Sequence, residues 1–467
     1  MFVLWSFLIS ILFCVIDLIY IKTFQLEGYK LKKFLQKAEN LDFAFGRKTP
    51  LVFTKRVLRL IFCDFLIKFC VFMLLFGLIP LFWVNFLLVI LLVIFSFAFV
   101  TLTFLAMHPI EEQIKKMFIK KAKQRLKEVG CKTIAITGSF GKTSTKNILY
   151  QILKEEFDVS ASPKSYNTPM GICKTILENL KDTDDFLIVE FGARQKGDIE
   201  ELSRLVGVDF AIITPVGNCH LETFGSLQNI ENTKYELCEN TKNMVVFNGE
   251  SEANRRMFAR FERKKFLVAK EGSFAYAKEV ETNSSGSHFV MVLDGKEFSC
   301  HTTLLGRANI DNIVVASAMA YLLGESIVSI RKAIKNLKST PHRLELIKGD
   351  FVNVIDDSYN SNFQGFKEAL KTLSTFPGKK IVVSPGIVEL GDAQFDVNRQ
   401  VGEEVAKVAD VFVIMNETNK EALSKGAQEM NEIYFASSRK EQKELLKKIL
   451  KKGDVVLFEN DFPDNIK

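Results

Sequence analysis

The hydrophobic pattern divides the chain into two textures. Up to His108, apolar residues run almost unbroken in three stretches. Residues 1–21 carry one charge, Asp17; residues 57–78 carry Arg59, Asp64 and Lys68; residues 81–107 carry none. Each stretch can cross about 30 Å of hydrocarbon as a helix, which takes about 20 residues. The pattern predicts about three transmembrane helices within a membrane anchor at 1–110. The first stretch lacks the basic start and small-residue cleavage site of a signal peptide, so it reads as an anchor. Asp64 and Lys68 lie four apart on one helix face, where they can pair. An ion pair with no transport role is the preferred reading.

From Lys132 the texture changes. Short apolar runs at 133–136, 186–191, 210–214 and 244–247 alternate with helical stretches, the mark of a parallel sheet flanked by helices. Between 264 and 305 the pattern is β-hairpin, with turns at Ser284-Ser285-Gly286 and Asp294-Gly295. A helix over 309–323 follows. A second α/β set starts near His342, with strands at 352–355, 380–384, 411–415 and 455–458. The expected fold class is α/β: transmembrane helices, then at 111–340 a parallel-sheet domain with a β-hairpin subdomain, made P-loop ATPase-type by the turn Gly138-Ser139-Phe140-Gly141-Lys142-Thr143, then a Rossmann-like C-terminal α/β domain at 341–467. The 467-residue length accommodates three such parts at about 150 residues each.

Charge orients the anchor. Lys22, Lys30, Lys32, Lys33, Lys37, Arg47, Lys48, Lys55 and Arg56 fall between the first two apolar stretches, and seven Lys or Arg crowd 115–127 after the third. Both basic segments belong on the cytoplasmic side. The chain after His108 is therefore expected to face the cytoplasm, as part of a multi-pass protein of the inner membrane. The net charge of +7 is modest, and no aromatic–basic interleaving marks a nucleic-acid binder. The eight Cys include no Cys-x-x-Cys pair, so neither a zinc knuckle nor a redox dithiol is supported and reduced thiols are expected.

The clearest chemistry sits at Thr137-Gly138-Ser139-Phe140-Gly141-Lys142-Thr143-Ser144. A buried strand precedes it and a helix over 143–155 follows. Glycines let backbone N–H groups approach phosphate oxygens, and the helix N-terminus favours negative charge. Lys142 would span the β- and γ-phosphates of ATP, and the Thr143 hydroxyl would bind Mg²⁺. Ile136 stands where the longer phosphate-loop pattern has its first glycine.

This segment resembles the shorter phosphate loop of the Mur ligases, and further motifs follow in that family's order over about 130–467. Tyr166-Asn167-Thr168-Pro169-Met170-Gly171 resembles its Asn-rich loop, and Val189-Glu190-Phe191-Gly192 its Glu-x-Gly strand end. The stretch ending Asn218-Cys219-His220-Leu221-Glu222 resembles its His-containing strand end. Thr233-Lys234-Tyr235-Glu236 matches the segment with the family's carbamylated lysine, and Asn309 and Asn312 an Asn-x-x-Asn helix start at the adenine site. Asp356-Asp357-Ser358-Tyr359-Asn360-Ser361-Asn362 and Val388-Glu389-Leu390-Gly391 resemble the MurF branch, which joins D-alanyl-D-alanine to a muramyl tripeptide.

The resemblance implies an ATP-dependent, ADP-forming amide ligase of peptidoglycan precursor synthesis working through an acyl phosphate. Its substrates would be UDP-muramyl tripeptide and D-Ala-D-Ala. It also implies two Mg²⁺ ions, one on Thr143 and Glu190, the other on His220 and carbamylated Lys234. Together with Lys142, Glu190, His220 and Lys234 form the implied catalytic set. ATP would meet Gly138, Ser139, Gly141, Lys142, Thr143, Ser144, Asn309, Asn312, Arg343 and Asp357. Asn167, Tyr359, Asn360 and Asn362 fall on the substrate side. Read alone, His220 is more often structural and Lys234 a solvated helical lysine; their roles rest on the resemblance. The lipid bilayer is an expected partner, and other wall-synthesis enzymes are candidates.

Two departures stand out. Membrane helices occupy the place of the branch's soluble sugar-binding domain. Asn362-Phe363 and Phe458-Glu459-Asn460-Asp461 replace its Asn-Pro and Lys-Gly-Ser motifs. A different or lipid-linked acceptor, or a non-catalytic ATP-binding scaffold at the membrane, are the alternative readings.

Overall fold

A computed structural model describes residues 2–39, 50–78, 90, 96–217, 221–359, 361–388 and 390–460. The chain falls into two compact units, one reaching Met117 and one starting at Phe118.

The first unit is helical. Helices Phe2–Leu26 and Lys55–Leu78 realise the first two apolar stretches, joined by the short amphipathic helix Leu31–Glu39. Spans Val3–Leu26 and Lys55–Gly77 are long and apolar enough to cross a membrane by length and composition. Most of the third stretch lies outside the described residues; helix Ser96–Val129 contains its end. Phe24, Phe34, Val57, Leu60, Val100 and Phe104 pack together inside, while Leu4, Trp5, Leu8, Leu12 and Phe62 remain exposed. Apolar residues on the outside of a helix cluster suit a lipid solvent.

Lys68 pairs with Asp64 at 2.6 Å, as the four-residue spacing predicts, and also with Asp17 of the first helix. Thr103 Oγ1 donates to Asp64 Oδ1 at 3.2 Å. All four are fully buried. Charges so placed persist only when paired.

The second unit holds two sheets. The first contains β1 (Lys132–Thr137), β2 (Val159–Ala161), β3 (Phe186–Glu190), β4 (Phe210–Ile213), β5 (Met244–Asn248), β6 (Lys265–Val268), β7 (Ala275–Asn283), β8 (Gly286–Leu293) and β9 (Lys296–Thr302). Their order is β2-β3-β1-β4-β5-β6-β7-β8-β9, parallel up to the β6–β7 junction and antiparallel from β7 to β9. Ile134, Ile136, Ile188, Ile212 and Val246 face one layer of helices, including Lys142–Leu153 and Arg307–Leu322. Ala135, Leu187, Val189, Ile213 and Val245 face the other, with Pro169–Glu178, Asp198–Val206 and Leu227–Glu239. Both faces are covered, which is why these strands read as continuous apolar runs rather than alternating ones.

The second sheet contains β10 (Glu345–Ile347), β11 (Asn353–Asp357), β12 (Lys380–Ser384), β13 (Val411–Met415), β14 (Ile433–Ala436) and β15 (Val455–Glu459), in the order β10-β11-β15-β12-β13-β14. Among the described residues of this sheet only β10 runs antiparallel, at the edge. Strands β2, β6, β10 and β14 have only three or four residues each and lie outside the runs expected from the pattern. Every strand expected from the pattern is present, with ends that agree to within two residues.

Candidate active site

Strand β1 lies between β3 and β4, so the chain leaves its two sides in opposite directions. At such a point a crevice opens beyond the carboxyl ends of the strands, and open α/β sheets bind ligands there. The end of β1 carries the Gly-rich loop, the end of β3 carries Glu190, and the segment after β4 carries Pro215 and Gly217, against which the loop packs.

Gly138 and Gly141 are required by space. Gly138 has φ 153°, and a Cβ on it would sit 2.0 Å from Thr214 Oγ1. Gly141 has φ 74°, and its Cβ would sit 2.6 Å from Asn312 Oδ1. Ser139 N and Phe140 N donate to Pro215 O at 2.9 and 3.2 Å. Ser139 Oγ donates to Gly217 O at 3.0 Å and accepts from Gly217 N at 3.1 Å. Lys142 Nζ curls back to donate to Gly138 O (2.8 Å) and Ser139 O (3.0 Å). Ile136 is a buried strand residue paired with Glu190, so the loop starts two residues later and needs no glycine there.

Thr143 and Ser144 open helix Lys142–Leu153. Thr143 Oγ1 donates to Glu190 Oε2 at 2.8 Å, and Asn167 Nδ2 donates to Glu190 Oε1 at 3.1 Å. Glu190 is 2% exposed. A carboxylate and a hydroxyl in contact beside a phosphate loop form an oxygen donor set that fits Mg²⁺. Asn312, buried in the second turn of helix Arg307–Leu322, accepts from Thr145 Oγ1 at 3.1 Å and so braces the loop; Asn309 donates to Leu305 O at 2.9 Å.

Lys234 is 3% exposed in helix Leu227–Glu239, which corrects its reading as a solvated lysine. The helix turns that face onto the sheet. His220 lies outside the described residues, as do Asn218, Cys219, Asn360 and Glu389.

The C-terminal sheet contributes the rest. The Arg343 guanidinium stacks 4.1 Å from the Tyr359 ring centroid. Burial pushes Arg343 below its usual value, and Asp357, Tyr359 and Glu190 draw it back, so these groups share one electrostatic seam. Asp357 Oδ1 accepts from Leu344 N at 3.0 Å, and burial pushes its carboxyl up to about 6. Tyr359 OH meets Ser165 Oγ at 2.7 Å. Asn362 caps helix Phe363–Ser374, accepting from Gly365 N at 3.0 Å. Its oxygen is committed to the cap, leaving the amide N–H₂ for any substrate contact. The same cap lets the helix start at Phe363 without the proline the family carries there.

Sequence reasoning missed Lys146 and Glu459. Lys146 is fully buried, 3.9 Å from Glu190 Oε2, and donates to the Lys164 carbonyl. Its spacing of four from Lys142, on the same helix face, was the available signal. Glu459 ends β15 opposite Asp357, is fully buried and accepts from Ser361 Oγ at 2.6 Å. Burial first, and then the Asp357 charge, raise its carboxyl well above the usual range. The loss of the family's Lys-Gly-Ser motif at this place was its signal.

Comparison with known proteins agrees with this geometry. Residues 136–320 match the Mur ligase middle domain, and residues 342–459 match the Mur ligase, glutamate ligase domain. The chain is 28% identical over 347 residues to the UDP-N-acetylmuramoyl-tripeptide–D-alanyl-D-alanine ligase of Bacillus subtilis, covering 72% of this chain and 74% of that one. With the Escherichia coli ligase of the same name it shares 28% over 300 residues, 62% of this chain and 65% of that one. The solved MurF ligase of Thermotoga maritima in complex with ADP superposes with a TM-score of 0.68 at 27% identity, covering 74% of this chain and 80% of that chain. A pseudomurein peptide ligase type C of Methanothermus fervidus shares the fold, with a TM-score of 0.57 at 18% identity over 71% of this chain and 76% of that one.

Proposed function

The chain belongs to the Mur ligase family, and from that premise we infer that it is an ATP-dependent, ADP-forming peptide ligase of peptidoglycan precursor synthesis. Its reaction adds D-alanyl-D-alanine to UDP-N-acetylmuramoyl-tripeptide. The observation that carries this reading is the contact of Thr143 with Glu190 at the switch point of the sheet, one residue beyond Lys142.

A carboxylate does not react with an amine unaided. Transfer of the γ-phosphoryl group to the tripeptide carboxylate makes an acyl phosphate and releases ADP. The amine attacks the acyl carbon, the amide bond forms, phosphate leaves and the ammonium proton is lost. The Gly138–Gly141 backbone and the helix N-terminus bind the phosphates. Lys142 exchanges its two carbonyl contacts for phosphate oxygens. Thr143, with Ser144 beside it, and Glu190 would hold one Mg²⁺, and His220 with carbamylated Lys234 a second; the chemistry such ions would supply is neutralisation of charge on the transferring phosphoryl group. Asn309 and Asn312 would meet the adenine, Asp357 the ribose and Arg343 a phosphate. Asn167, Tyr359, Asn360 and Asn362 meet the peptide and the dipeptide. Closure of domain 341–467 over domain 111–340 excludes water, which otherwise hydrolyses the acyl phosphate.

Residues 1–110 serve as a membrane anchor that keeps the ligase domains on the cytoplasmic face, near other wall-synthesis enzymes. A lipid-linked acceptor is the second reading. It is favoured by the apolar exposed helices that precede the matched domains.

Purified full chain with ATP, Mg²⁺, UDP-muramyl tripeptide and D-Ala-D-Ala should release ADP and yield the pentapeptide product by mass. A folded sample that gives no turnover rules the reading out. The same assay with soluble and lipid-linked acceptors side by side decides between the two acceptors.

A further inference from the structure

Lys146 has no part in the mechanism above, yet it is among the largest fully buried side chains of the protein. An ammonium group removed from water must be matched by protein groups or it shifts and destabilises the fold. Two groups match it. Glu190 Oε2 lies 3.9 Å away, a Coulombic contact beyond hydrogen-bond length. The directed bond goes to the carbonyl of Lys164.

Lys164 has φ 48°, a left-handed conformation that a lysine adopts only when its surroundings impose it. The residues that follow are each tied to a different part of the site. Ser165 meets Tyr359 of the C-terminal sheet at 2.7 Å. Asn167 donates to Glu190 and accepts from Gly192 N at 3.1 Å. Thr168 caps helix Pro169–Glu178. Loop 163–168 therefore links the phosphate-loop helix, the carboxylate at the end of β3 and the Tyr359 side of the C-terminal domain.

Resting on the ligase reading, we propose that Lys146 is a positioning residue: it pins loop 163–168 beside Glu190 and thereby sets the Ser165–Tyr359 contact through which the C-terminal domain docks. The Ser165–Tyr359 bond is exposed, and an exposed hydroxyl pair is weak alone. It becomes selective when Ser165 is held in place beforehand, because docking then orders fewer groups. Lys146 thus acts on the peptide and dipeptide steps rather than on nucleotide binding.

The test compares Lys146→Met, Ser165→Ala and the double variant in the full chain. Lys146→Met should raise KM for D-Ala-D-Ala or the tripeptide about tenfold, while ADP titrated without divalent cation binds within about twofold of the parent. The double variant should be little worse than Lys146→Met alone, because both remove the same link. Multiplied effects, or a loss of ADP affinity equal to the KM change, overturn the proposal. If Lys146→Met does not fold, Ser165→Ala, a surface change, must by itself raise KM about threefold or more at an unchanged melting temperature. Hydrogen exchange needs no turnover: in the folded variant it should quicken in both 163–168 and the segment around Tyr359. Quickening confined to 163–168 also overturns the proposal. A parent protein with no ligase turnover but with linked exchange would sink the ligase reading alone.

Discussion

Thr143 Oγ1 lies 2.8 Å from Glu190 Oε2, joining the first turn of the phosphate-loop helix to the last residue of β3 across 47 positions of sequence. Neither residue is unusual alone. In contact, they turn a nucleotide-binding loop into a site with a carboxylate ready for a divalent cation.

Glu190→Gln should therefore cut ADP release by more than about 100-fold, and Asn167→Ala, which acts through Glu190, by about 10- to 100-fold. Steady-state ADP release with both variants checks this. Near-parental turnover of Glu190→Gln would falsify its role.

Gly141→Ala should abolish tight nucleotide binding. The new Cβ would meet Asn312 Oδ1 at 2.6 Å with φ at 74°, at a cost of about 1–3 kcal/mol in strain. Titration with ADP and a thermal melt separate lost binding from lost fold.

Arg343→Lys should behave like Arg343→Ala rather than like the parent. A lysine cannot reproduce a planar guanidinium stacked 4.1 Å from the Tyr359 ring centroid. Both variants should lose about tenfold or more in kcat/KM. A fully active Arg343→Lys would show that charge alone suffices.

Glu325 gives a pH signature of stability. It is 2% exposed, neither oxygen meets a hydrogen-bond partner among the described residues, and burial, with Glu156 and Glu155 nearby, pushes it up to about 8. Its folded value thus lies above the ordinary 4.5, so the folded chain keeps a proton that the unfolded chain loses. The stability it contributes is full below 4.5 and is lost as pH rises through about 8. Glu325→Gln should remove that slope and raise stability at pH 8.5 by about 1–3 kcal/mol. Denaturant melts at acid and alkaline pH read the difference, and parallel curves would refute it.

In the helical unit, Lys68→Met should cost about 3–5 kcal/mol, because it leaves Asp17 and Asp64 buried without their cation. The triple change Asp17→Asn, Asp64→Asn, Lys68→Met should recover most of that loss. Thermal melts in detergent test both, and a triple variant as weak as the single one would mean that packing alone holds these helices.

Much of the architecture was legible because burial on both faces of a parallel sheet writes itself as apolar runs. Strands β1, β3, β4, β5, β12 and β13 fall within about a residue of where those runs lie. The hairpin turns at Ser284-Ser285-Gly286 and Asp294-Gly295 join β7 to β8 and β8 to β9, because turn residues carry their conformation locally. Strands β2, β6, β10 and β14 were not legible. Each has three or four residues, too few for periodicity to tell a strand from a helical turn even where the residues are apolar, as in β14.

By itself the sequence determined what is local: the strand–loop–helix at Gly138–Gly141, the two apolar helices, and the Asp64–Lys68 spacing. The tertiary structure decided what lies far apart in the chain. It brought Glu190 to Thr143, Asp17 to Lys68, and Ser165 to Tyr359, and it turned Lys146 from one polar residue of a helix into a buried cation beside the site. The physical reason is that a charge is costly to bury only in a particular environment. That environment is assembled from several strands and helices, so no single stretch of sequence contains it.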